Sequence, residues 1–163
     1  MKKLMGMISA ASALWLLTAS CGNPLVPSLP LDDLLTAPQV VEINGRQFSL
    51  ETFVWRDFMP IIEPDGSRLN AVVYLTAVDG QPFPDEIGSD RIWLINGEKF
   101  WETAFSGEER PRDAEHLYQI VKVANGGPRW DVGTEVEVVV RVTALAAPPC
   151  LLRALKTTIG ATY

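Results

Sequence analysis

Three groups of residues carry chemical potential: a cysteine at the end of an apolar run, an acidic loop, and a scattered set of aromatic side chains. Cys21 closes Leu17-Thr18-Ala19-Ser20-Cys21-Gly22, behind the mostly apolar run from Leu4 to Leu17 and the lysines Lys2 and Lys3. A thiolate is a strong nucleophile, and small residues before it let a processing enzyme approach the backbone. The other cysteine, Cys150, sits in Pro148-Pro149-Cys150-Leu151-Leu152, with no neighbouring base or cation to activate it. It is expected to be a buried small hydrophobe. His116 is the one histidine, placed at the start of an expected strand. No serine stands in a Gly-x-Ser-x-Gly elbow to be its nucleophile, and a zinc site needs further His or Cys ligands. The carboxylates show no spacing that singles out an acid and a base. A non-catalytic protein, without cofactor, is the expectation.

The order of two lysines, an apolar stretch, small residues and Cys21-Gly22 resembles the signal peptide and lipobox of bacterial lipoproteins. A run of this length is shorter than the roughly 20 apolar residues of a membrane-spanning helix. The resemblance implies cleavage before Cys21 and a diacylglyceryl thioether on its sulfur, with further acylation by chains such as palmitate. It implies a mature protein held on a membrane outside the cytoplasm. Gly22, rather than Asp, after the cysteine is similar to lipoproteins sorted to the outer membrane, so a diderm host would carry it on the periplasmic face. Simple cleavage after Ser20, releasing a secreted protein, is the alternative. Acylation would leave Cys150 without a disulfide partner.

Charge narrows the partners. The chain has 14 Lys and Arg against 20 Asp and Glu, a net −6, and losing Lys2 and Lys3 with residues 1–20 makes it −8. An acidic domain is repelled by an anionic bilayer, so a lipid would do the anchoring. Nucleic-acid binding, which rests on neutralising phosphates, is disfavoured.

Residues 1–20 are thus expected to be a signal peptide, 21–39 a tether and 40–163 the folded domain. Pro24, Pro27, Pro30 and Pro38 stiffen the tether. Its leucines make it too apolar for a solvated linker, and Asp32 to Leu35 is a candidate helical turn that packs back on the domain.

From Val40 onward the pattern is β. Val40–Ile43 and Arg46–Trp55 flank Asn44-Gly45, and Ile92–Ile95 and Glu98–Phe105 flank Asn96-Gly97, two expected type I′ hairpins. Ile43-Asn44-Gly45-x-x-Phe48 matches Ile95-Asn96-Gly97-x-x-Phe100, which shared turn chemistry explains better than duplication. Leu69, Ala71, Val73, Leu75 and Ala77 fall on one face of a strand. Val136, Val138, Val140 and Val142 fall on one face of another, whose opposite face carries Glu135, Glu137, Arg141 and Thr143 and is expected to be wet. Further strands are expected over Leu117–Val123 and Leu151–Leu155. Seven or eight strands with short connections give an all-β, antiparallel sandwich resembling immunoglobulin-like domains in architecture only, with a small β-barrel as runner-up.

Two loop or surface features are candidates for binding. In the Asp79–Asp90 loop, Asp79, Asp85, Glu86 and Asp90 are weak ligands for Ca²⁺, lacking EF-hand spacing. Pro82 and Pro84 favour an extended connection with Phe83 and Ile87 tacked to the core edge. The second candidate is a patch of Phe53, Trp55, Phe58, Trp101 and Trp130 with Arg56 and Asp57 at its rim. Phe53 and Trp55 are opposite in phase to Phe48 and Leu50, so the expected strand bends there to plug one end of the core. The competing expectation is an exposed aromatic patch for a partner. Of Phe100 and Trp101, one must point away from the core. The function expected is a membrane-tethered sandwich binding another envelope protein or component. The alternative is a module for a carbohydrate or Ca²⁺.

Overall fold

The structure, a computed structural model, describes residues 28–59, 65–111 and 113–163. Cys21 and the apolar run before it lie outside the described residues. Among the described residues, no helix is long and apolar enough to cross a membrane.

Among the described residues a short helix, α1 (Leu31–Leu35), precedes eleven strands. The first five are β1 (Val40–Ile43), β2 (Arg46–Asp57), β3 (Asn70–Ala77), β4 (Ile87–Asn96) and β5 (Lys99–Ala104). Next come β6 (Gly107–Glu109), β7 (Gln119–Asn125), β8 (Glu135–Ala144) and β9 (Ala147–Arg153). The last two are β10 (Thr157–Thr158) and β11 (Gly160–Thr162). β6, β10 and β11 have three residues or fewer, too short to show as a pattern in sequence.

The strands make two sheets that do not close into a barrel, an antiparallel β-sandwich. Sheet A runs β1-β2-β3-β7-β6, with β11 also on β2; sheet B runs β10-β8-β4-β5, with β9 also on β8. One pairing departs from the antiparallel expectation: β11 lies parallel to Trp55–Asp57 of β2. Parallel neighbours need a long connection, and here most of the domain lies between the two strands.

Alternation decides the core. Leu69, Ala71, Val73, Leu75 and Ala77 are buried from sheet A, together with Phe48, Leu50, Val54 and Ile120. They meet Val136, Val138, Val140 and Val142 of β8, with Ile92 and Leu94 of β4. Burying each side chain of this size stabilises the fold by ~1.5–3 kcal/mol before chain entropy is set against it. Phe83 and Ile87 are buried at the core edge, as the prolines around them suggest. Ile87 also begins β4, five residues earlier than its apolar run announces, with a register shift between Ser89 and Arg91. Pro148 and Pro149 lie on β9, an edge strand, at a register shift against β8 that leaves both out of the pairing.

The two Asn-Gly turns are not the same device. In the first hairpin Ile43 pairs with Arg46, so Asn44 and Gly45 are the central residues, with φ of 53° and 76°. That is the positive-φ pair of a type I′ turn. In the second, Asn96 still pairs with Lys99, and the central residues are Gly97, at φ 61°, and Glu98. Positive φ at the first central residue alone matches a type II′ turn. Each phenylalanine faces the side of the isoleucine before its turn, Phe48 with Ile43 in the main core and Phe100 with Ile95 on the opposite side of its own sheet.

The outer side of β8 is wet toward its ends, at Glu135 and Arg141, and covered along its middle. Val139 is fully buried there, with Trp93 and Ile95 of β4, beneath Leu34 and Ala37 of the chain before β1. Leu29, Leu31 and Leu35 from that segment, and Phe100 and Leu151 from the sheet, pack at its margin.

Candidate interaction face

β2 does not bend or change phase at Phe53. Phe48, Leu50, Val54 and Arg56 point inward along twelve unbroken residues, and Phe53 and Trp55 point out. The expectation that these two aromatics plug the core is therefore corrected. Phe53 is 49% exposed and Trp55 half-buried, their rings stacked at 5.2 Å and 21°.

Cross-strand register extends the patch. Phe53 lies opposite Val72 of β3, which lies opposite Val123 of β7 and then Gly107 of β6. In the adjacent row Glu51 is opposite Tyr74, then Val121, then Glu109. Val72, Tyr74, Val121 and Val123 are all half-buried. The strand residues sharing this side include Glu42, Glu51 and Glu109 and no Lys or Arg. Lys122, the cation of β7, turns to the other side, donating to Glu108 at 2.6 Å beside the Phe105 ring.

The remaining patch residues are elsewhere. Arg56 is no rim: it is 6% exposed, on the inward phase, and caps one end of the sandwich. Its Nε donates to the Ser67 carbonyl at 2.9 Å and its terminal nitrogens to the Asp65 and Trp130 carbonyls. Its guanidinium stands 5.1 Å from the ring centre of Phe58, which stacks on Tyr163 at 6.0 Å. Asp57 accepts from the Met59 N–H and so turns that corner. Trp101 and Trp130 pack on the main core. Trp101 lies so close over Gly127 that an added Cβ would come within 2.7 Å of its ring. Neither member of the Phe100–Trp101 pair is left outside, because each side of β5 has its own apolar cluster.

On the outer side of sheet B the chain itself is the cover. The Ser28 N–H donates to Glu102 Oε2 at 2.8 Å over β5. At the other end, the Arg153 N–H donates to the Pro38 carbonyl at 2.8 Å and Nε to the Ala37 carbonyl at 3.2 Å. Arg153 also pairs with Glu137 at 3.1 Å. Residues 28–38 thus form a strap across the sheet, pinned at both edges and anchored at its centre by Leu34. Burial alone would raise the Glu102 carboxyl. The Ser28 N–H and the Arg91 guanidinium, 3.4 Å away, favour the charged form and hold it below the usual glutamate range.

The acidic loop does not assemble a calcium site. Asp79 accepts from Arg46 Nε and NH2, both at 2.8 Å, which lowers its carboxyl. Asp90 accepts from Arg141 at 2.8 and 2.5 Å and is lowered likewise. Asp85 lies 3.8 Å from Arg110, and Glu86 is exposed. Arg46 and Arg141 each hold one of these carboxylates at separate places, and Asp85 and Glu86 stay exposed, so the four do not converge on one cation. Among the described residues no group of three or more metal-binding side chains gathers.

His116 is in an exposed turn rather than at a strand start, its Nδ1 2.6 Å from Asp113. Cys150 is half-buried rather than buried, and desolvation raises its thiol, so little thiolate forms. A cavity of about 390 Å³ opens between the Asp79–Ile87 and Arg110–Leu117 loops, lined in part by Phe83, Leu117, Ile120, Asp85 and Arg110. Arg110 is committed to Glu108 and to the Pro84 and Ile87 carbonyls. The cavity therefore offers apolar contact, one free carboxylate and no free cation from that arginine.

Val72, Tyr74, Val121 and Val123 are the site residues that sequence reasoning missed. Their signal was present: both sides of β3 and β7 are apolar, which in a sheet interior means that the outer side is either covered or available. No protein-family model, curated protein or solved structure matches the chain.

Proposed function

We propose that this chain is a non-catalytic lipoprotein, anchored through acylated Cys21 on a bacterial membrane outside the cytoplasm, whose sandwich binds another envelope protein through the outer side of sheet A. In a diderm the location would be the periplasmic face of the outer membrane. The observation that carries the binding half is the contrast between two apolar outer sides. One is covered by the chain's own strap; the other presents stacked Phe53 and Trp55 beside Val72, Tyr74, Val121 and Val123. Exposed apolar surface of this kind, rimmed by polar residues, marks interaction sites. The rim of Glu42, Glu51 and Glu109 suits a partner with an apolar centre flanked by Lys or Arg.

A sugar-binding reading of the same side is weaker, because Phe53 and Trp55 use one ring face of each on the other. A small-ligand reading rests instead on the cavity beside Phe83 and Leu117. Crosslinking in cells, with the captured proteins identified by mass spectrometry, separates them. One reproducible envelope protein, lost in Phe53→Ala and Trp55→Ala but retained in Leu117→Ala, supports the reading. Capture unaffected by the sheet A variants refutes it. Metabolic labelling with a palmitate analogue, lost in Cys21→Ser, tests the anchor separately.

A further inference from the structure

We infer that the strap over sheet B fixes how the domain stands on its membrane: sheet B toward the bilayer, and the Phe53–Trp55 side of sheet A away from it. The inference rests on the lipid anchor at Cys21 proposed above, and adds what the docked strap does with it.

The argument is one of chain length and placement. Without docking, the leash from Cys21 to Pro38 would be about 17 residues, able to span roughly 60 Å and leave the domain free to tumble. Docking consumes most of that. Ser28 is held by Glu102 on the outer side of sheet B, so about seven residues remain, at most roughly 25 Å when fully extended. The leash therefore leaves the domain from the outer side of sheet B, at its β5 edge. Sheet A lies one sandwich layer further away, about 10 Å between sheets with its own side chains beyond.

The hold is substantial. Leu34 is 0% exposed against Trp93, Ile95 and Val139, and Ala37 is 5% exposed. Backbone bonds from Arg153 to Pro38 and from Ser28 to Glu102 pin the two ends. Charge acts in the same direction only as a balance, since the strap side carries exposed Asp32 and Asp33 as well as Arg91, Arg141 and Arg153. The strand residues on the outer side of sheet A carry Glu42, Glu51 and Glu109 and no cation, so an anionic bilayer repels that side. A partner then meets the aromatic patch from the side facing away from the anchoring membrane.

The test uses the full lipidated chain in vesicles of phosphatidylethanolamine and phosphatidylglycerol with an acceptor fluorophore on a headgroup. In a Cys150→Ser background, a donor is placed at Ala104→Cys, on β5 of sheet B, or at Glu51→Cys, on sheet A. Roughly twofold higher transfer from position 104 than from position 51 is expected for sites separated by the sandwich thickness. Leu34→Asp, checked for retained folding by thermal melting, should release the strap, lower transfer from position 104 and erase the difference. Because that variant risks unfolding, inserting eight Gly/Ser residues between positions 22 and 27 lengthens the leash and touches none of the described residues. It too should erase the difference. Equal transfer from the two positions in the unaltered leash overturns the inference. So does a difference that survives the insertion. Failure of the protein to float with the vesicles would instead refute the lipid anchor, a separate result.

Discussion

Sheets A and B each present an apolar outer side, and the two differ in what lies on top. Sheet B buries Trp93, Ile95 and Val139 under Leu34 and Ala37. Sheet A leaves Phe53 49% exposed, with Trp55, Val72, Tyr74, Val121 and Val123 half-buried. An apolar strand residue on an outer side is thus not evidence of a binding surface. It becomes one only when the chain's own segments have been placed and none covers it. The strap is what distinguishes structural hydrophobicity from surface available to a partner, and it comes from residues that a domain boundary at Val40 would discard.

Truncating the two sides should cost very different amounts. Leu34→Ala removes the central contact of the strap and is expected to destabilise by about 3 kcal/mol in urea unfolding, in the range for buried leucines. Phe53→Ala should cost about 1 kcal/mol or less, the value of a surface aromatic pair, while abolishing partner capture. Equal costs would mean that sheet A is covered too, and the comparison would fail.

Acid should loosen sheet B's cover first. The Glu102 carboxyl is lowered in the folded protein, so its contribution is fully present above the ordinary glutamate value. It is lost as pH falls through the lowered one. Protection factors for amide hydrogen exchange at Leu34 and Ala37, corrected for the intrinsic pH dependence, should therefore fall under acid, while those of β3 hold. Glu102→Gln should weaken that acid response, which a general acid destabilisation would not do.

The smallest effect concerns the turns. Asn44→Ala forces alanine into positive φ and should cost about 1 kcal/mol. Asn96→Ala, at a paired strand position, should change stability by a few tenths at most. Matching losses at the two asparagines would show both hairpins to be type I′ and undo the offset between them.

Much of the fold was legible because period-2 alternation is local. Leu69 to Ala77 and Val136 to Val142 report their buried side directly, and chain connectivity keeps such neighbours antiparallel. The parallel return of β11 was not legible, since three residues carry no period. Nor was Arg56, whose charge suggested a rim while its even position on β2 sent it inward to the backbone carbonyls of Ser67, Asp65 and Trp130. The acidic loop misled for a similar reason: spacing along the chain says nothing of Arg46, Arg110 and Arg141, which arrive from other elements.

By itself the sequence determined the β class, the principal strands, the first Asn-Gly turn and the acidic balance. These follow from side-chain type and nearest neighbours along the chain. Which apolar residues face a partner was decided only in three dimensions. Exposure is a property of what packs above a residue, and for Trp93 and Val139 that is Leu34, a residue remote in sequence from both. Phe53 and Trp55 have the same alternation and the same hydrophobicity, and no strap above them.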